Sequence, residues 1–91
     1  MSFLQFIQSI SDQVEWVAIL VNETEWHQVP VAPSLSIFEA LRLWGPWHDL
    51  PPPVAVTWGW ERVYQEQTYN SMGLSLDSVL RYHTRPAADA G

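Results

Sequence analysis

Residues 14–21, Val-Glu-Trp-Val-Ala-Ile-Leu-Val, limit the fold of this chain more than any other segment. The run is rich in branched residues and, after Glu15, apolar on both alternating faces, which is the pattern of a strand inside a sheet rather than at its edge. Such a strand needs partners on either side and helices to complete a core, so the remaining residues must supply both.

Several flanking segments read clearly. Phe3, Leu4, Phe6, Ile7 and Ile10 recur at helical spacing, with Ser2 placed to cap a helix that runs to about Asp12. Asn22-Glu23-Thr24 is a polar turn leading into a second strand over residues 25–31, and Pro30 pushes the far end of that strand to an edge. Ser36-Ile37-Phe38-Glu39 has the form of a capping box. The helix it starts carries Ile37, Phe38, Leu41 and Trp44 as its buried stripe and ends at Gly45-Pro46. Residues 47–53 read as an irregular, stiff connector, because three consecutive prolines fix an extended backbone without amide donors. The proline segments at 30–33 and 50–53 lack the basic flanks of ligands for proline-binding modules and read as rigid loops.

Residues 54–64 alternate, with Val54, Val56, Trp58 and Trp60 on one side, and predict one long strand. Residues 65–69 fit either a fourth strand or, with five polar residues among 64–70, a loop or hairpin arm. Ser75 is placed to cap a last helix with Leu76, Val79, Leu80 and His83 on one face, His83 and its neighbouring arginines facing the helix dipole, and Pro86 as its stop. The expected fold is therefore α+β, one compact domain over residues 1–86 with a mobile tail at 87–91. It has a small three- or four-stranded, mainly antiparallel sheet with two or three short helices packed on one face. Its expected core contains Phe6, Ile7, Ile10, Trp16, Ala18, Leu20, Ile37, Phe38, Leu41, Val56, Trp58, Val79 and Leu80.

Composition narrows the function. Ten carboxylates stand against four scattered arginines and no lysine, a formal charge of −6. That balance excludes direct nucleic-acid binding, which needs clustered cations, and favours a protein partner with a basic surface. The longest apolar run, residues 17–21, is far short of a membrane span, and the first residues do not form a secretory signal, so a cytoplasmic protein is expected. There is no cysteine, no nucleophile elbow and no phosphate-binding glycine loop. Glu61 and Glu66 are the one carboxylate pair to weigh, and a domain this small seldom builds the cleft that such a pair needs, so no enzyme is expected. Glu25 and His27 share one face of a predicted strand and His48-Asp49 are adjacent, but the spacing matches no metal motif. No metal or other cofactor is expected.

Six tryptophans in so short a chain need separate explanations. Trp16 and Trp44 are assigned to the core. Trp26, Trp47, Trp58 and Trp60, with Asp49 and Glu61 as nearby carboxylates, make up the candidate partner-binding set. The expected function is that of a small, acidic, non-enzymatic protein-binding module, with aromatic residues for affinity and carboxylates for steering. One form of it is an inhibitor or immunity-type protein. Phage-encoded anti-defence proteins, anti-CRISPR proteins among them, share this size and acidity, an analogy that carries no motif. The alternative is a small-ligand or carbohydrate-binding domain in which Trp58 and Trp60 form a stacking platform, and self-association is a third possibility.

Overall fold

The computed structural model describes residues 1–84. Three α-helices and five strands follow in the order α1 (Phe3–Ile10), β1 (Glu15–Val21), β2 (Glu25–Val31), α2 (Ile37–Trp44), β3 (Ala55–Trp58), β4 (Glu61–Arg62), α3 (Tyr69–Met72) and β5 (Val79–His83). A 3-10 turn at Gly45–His48 continues α2. The strands form one mixed sheet in the order β2-β1-β5-β3-β4, with β1 and β5 parallel and the other pairs antiparallel.

Local chemistry explains the ends of the elements. The Gln5 N–H donates to Ser2 Oγ at 3.1 Å while the Ser2 N–H donates to Gln5 Oε1 at 2.8 Å, so α1 begins in a complete capping box. At α2 half of the expected box is realised. The Glu39 N–H donates to Ser36 Oγ at 3.2 Å, but the Glu39 carboxylate accepts from Arg42 at 2.8 Å instead of returning to the cap. The start of α2 is also tied to the segment before α3, since Ser36 forms an isolated bridge to Thr68 and the Ile37 N–H donates to the Gln67 carbonyl. Asn22 and Glu23 both take positive φ (48° and 65°), which turns the chain tightly from β1 into β2.

The core lies on one side of the sheet. Val17, Ile19 and Val21 of β1, Val29 and Val31 of β2, Val56 of β3, and Leu80 and Tyr82 of β5 meet Phe3 and Ile7 of α1, Ile37, Leu41 and Trp44 of α2, and Tyr69 of α3. Tyr82 locks the end of α2 to the proline loop. Its hydroxyl donates to the Pro51 carbonyl at 2.7 Å, and a Cβ at Gly45 would meet that hydroxyl at 2.5 Å, so the residue after α2 has room only for glycine. Burial pushes the Tyr82 phenol up to about 12 from its ordinary 10.0.

Several expectations from the sequence are corrected by the structure. The sheet has five strands and a parallel pair in its middle, not three or four mainly antiparallel ones. The long strand over 54–64 is a hairpin: Gly59 at φ +61° and Trp60 form a two-residue turn between Trp58 and Glu61. A positive φ suits glycine at the first central position of such a turn, and it breaks an alternation that otherwise looked continuous. The expected last helix is β5, a strand inserted between β1 and β3, and residues 65–68 form a turn leading to the Thr68 cap of α3 in place of a fourth strand. Leu80 and Tyr82 alternate with exposed Arg81, a period-2 signal that the coincidental helical spacing of Leu76, Val79, Leu80 and His83 obscured. Ile10 and Trp16, assigned to the core, are exposed. Residues 47–48, expected in an irregular loop, belong to the 3-10 turn. Pro86, the domain boundary at 86 and the tail at 87–91 lie outside the described residues.

Candidate functional site

The helices cover only one face of the sheet, because every buried helix residue belongs to the single core described above. Cross-strand register identifies what lies on the other face. Residues directly opposite each other share a face, and successive residues of a strand alternate between faces. On β1 and β2 the pairs are Trp16 with Pro30, Ala18 with Gln28, and Leu20 with Trp26. Beside them stand Val79 and Arg81 of β5, then Thr57 of β3 and Arg62 of β4.

This open face has a small apolar floor between aromatic borders. Ala18 and Leu20 are each only 9% exposed although no helix lies over them among the described residues, while Trp16 is 37% exposed and Trp26 is 63% exposed. The floor is thus shielded by the side chains that border it, and the two indoles spend much of their area in water.

Charge is divided between the faces. The strand carboxylates Glu15, Glu25 and Glu61 all occupy helix-side register positions, opposite Val31, Val21 and Trp58 respectively. The strand cations Arg62 and Arg81 both occupy the open face. Arg81 Nε lies 3.1 Å from Glu23 Oε2 in the β1–β2 turn, whereas Arg62 makes no ion pair among the described residues. His83, on the same face, shares a 3.1 Å hydrogen bond with the Thr57 hydroxyl. A chain with a net charge of −6 therefore presents a sheet surface whose strand charges are positive.

The six residues singled out in the sequence fall in three places. Trp26 alone lies on the open face. Trp47 lies in the 3-10 turn, edge-on to Phe3 at 6.0 Å, and Asp49 follows it with φ 56°. Trp58, Trp60 and Glu61 belong to the β3–β4 hairpin, where Trp58 packs against the core and Trp60 is 100% exposed at the tip. Trp58 and Trp60 do not share a face, so the expected stacking platform is not formed. The residues missed by sequence reasoning are Trp16, Arg62 and Arg81. Arg81 could have been found from the alternation of buried and exposed positions in β5. A cleft bordered by Phe38, Arg62, Val63, Tyr64 and Gln65 encloses about 160 Å³, below the roughly 300 Å³ at which small-molecule pockets begin.

No protein-family model and no curated protein matches the chain in sequence. Solved structures do match in shape. The chain is similar to a ubiquitin from Caldiarchaeum subterraneum, with 17% identity and a TM-score of 0.68 over 82% of this chain and 98% of the other. A designed protein based on ubiquitin gives 19% identity and a TM-score of 0.64 over 81% and 92%. The fold is the ubiquitin-like β-grasp. The C-terminal ubiquitin-like domain of mouse tubulin-specific chaperone e shares it, at 10% identity and a TM-score of 0.59 over 82% and 91%. In this β-grasp the sheet closes around α2 from one side, which leaves its other face to solvent. No helix among the described residues is long and apolar enough to cross a membrane.

Proposed function

We propose that this β-grasp domain is a non-catalytic protein-interaction module whose open sheet face binds a partner segment combining an apolar anchor with carboxylates. The observation that carries this reading is the pairing of exposed Trp16 and Trp26 with Arg62 and Arg81 on the one sheet face that no helix covers. Tryptophan and arginine dominate the energetics of protein interfaces because each offers a large, rigid contact area with a polar component. The floor of Ala18 and Leu20 gives an anchor somewhere to sit, and Arg62 gives a carboxylate an uncommitted partner. The similarity to ubiquitin and ubiquitin-like domains supports a binding role at the level of fold, and a fold alone does not specify a partner.

The charge layout argues for an acidic partner segment in place of the basic one expected from net charge. Binding a basic surface would call for carboxylates gathered where contact occurs, but the strand carboxylates lie away from the open face and Glu23 is engaged by Arg81. Nothing in that layout favours an inhibitor or anti-defence role.

Selection of a synthetic peptide library against the purified domain tests the proposal. Enriched peptides are expected to place Asp or Glu beside a large apolar residue and to shift amide resonances along β1, β2 and β5. Trp26→Ala, and separately the double variant Arg62→Glu, Arg81→Glu, should each weaken the best peptide by at least about tenfold, equivalent to about 1.4 kcal/mol. Peptides rich in Lys or Arg, or shifts confined to the helix side, would refute it.

A further inference from the structure

A second constellation lies on the opposite side of the sheet and plays no part in the open face. His27 occupies a helix-side position on β2, opposite Ile19, and His48 ends the 3-10 turn that follows α2. Twenty-one positions apart in the chain, the two imidazoles stand ring to ring, with centroids 5.2 Å apart and planes at 62°. Both also contact the buried Trp44 indole, at 5.1 Å and 4.7 Å between centroids. Glu25 Oε2 lies 3.5 Å from His27 Nε2, and the His27 side chain keeps 25% of its surface exposed.

We propose that His27 and His48 form a binding site for a divalent transition-metal ion of the Zn²⁺, Ni²⁺ or Cu²⁺ class. Imidazole nitrogen suits these ions. With metal–nitrogen bonds of about 2.0–2.1 Å, two imidazoles on one tetrahedral ion have centroids about 5 Å apart, the spacing seen between these rings. Among the described residues no three His, Asp or Glu side chains already form a ligand set. The two imidazoles are therefore the protein's contribution, with water completing the shell and Glu25 close enough to His27 to hold its ring. A bound ion would pin the 3-10 turn to β2, raising stability with the logarithm of ion concentration once that exceeds the dissociation constant.

The third histidine is an internal control. His83 is bonded to Thr57 on the opposite face and has no imidazole partner among the described residues. Calorimetric titration of the intact domain with ZnCl₂ or NiCl₂ should give one ion per chain and a rise in melting temperature. His27→Gln and His48→Gln should each weaken binding by at least about tenfold, while His83→Gln should leave it unchanged. Should either variant fold poorly, substoichiometric Cu²⁺ added to the unmodified domain decides the matter. Paramagnetic broadening is expected at the amides of residues 25–28 and 45–49. Broadening centred on His83 or spread evenly, or no binding at millimolar Zn²⁺, would overturn the assignment and leave the histidines as packing around Trp44.

Discussion

On the helix side of the sheet Trp44 is 1% exposed and meets Tyr82 and His27 ring to edge and His48 at a tilt, whereas on the open side Trp26 is 63% exposed and lies opposite a single leucine. The two indoles differ in what surrounds them, and hence in what they contribute. Removing Trp44 takes away the centre of a packed layer, while removing Trp26 exposes a floor and little else. Large apolar side chains that stability does not require point to a surface kept for another purpose, and in this molecule they gather where the strand cations also are.

The sharpest way to break that contrast is by substitution at Trp44. Trp44→Ala is expected to cost about 3–5 kcal/mol in urea unfolding, because the cavity it leaves is bounded by α2, β2 and β5. A loss under about 1 kcal/mol would mean that the helix-side layer is not the stability-determining one.

A second test uses pH. The Tyr82 phenol is held neutral by burial up to about 12, whereas the unfolded chain ionises near 10, so the unfolded state loses its proton first and stability falls as pH rises from 10 to 12. The expected loss is about 2–3 kcal/mol, since each pKa unit corresponds to about 1.4 kcal/mol. Tyr69 adds in the same direction, raised by burial and then by the Glu15 carboxylate. Tyr82→Phe should start from a lower stability, with the Pro51 carbonyl left without its donor, but should lose much less of it over that alkaline range. An equally steep fall in the variant would place the alkaline transition elsewhere. The smallest effect is expected at the hairpin tip, where Trp60→Ala should change stability by no more than about 0.5 kcal/mol by the same urea measurement. A larger loss would show that the exposed side of the molecule also holds the fold together.

Much of the first half of the chain was legible because its signals are local. The β2 boundaries, the Asn22-Glu23-Thr24 turn, the Ser2 cap and the start of α2 each depend on residues within a few positions of one another, and the structure has them where expected. The second half was not, because its decisive events depend on distant partners. Five residues of β5 satisfy a helical pattern and a strand pattern almost equally well, and only insertion between β1 and β3 selects the strand. The Gly59 turn hides inside an alternating run for a related reason: Trp58 and Trp60 agree in hydrophobicity while the backbone between them reverses. The candidate site suffered from the same error, since reading β5 as a helix removed Arg81 from any sheet face. The charge pattern that gives the open surface its character was then invisible.

The parallel pairing of β1 with β5 also governs how this domain can come into being. Ala18 aligns with Val79, so the middle of the sheet closes only when the chain reaches back across roughly sixty residues, the type of long-range contact that slows folding. Until then the only strand pairs the sheet order allows are β1–β2 and β3–β4, with the inner edge of each unpaired. Synthesis halted before Val79 should release a polypeptide with two open strand edges and no completed core, prone to self-adhesion and easily degraded. The interval between making β1 and making β5 is when this chain has most need of a chaperone.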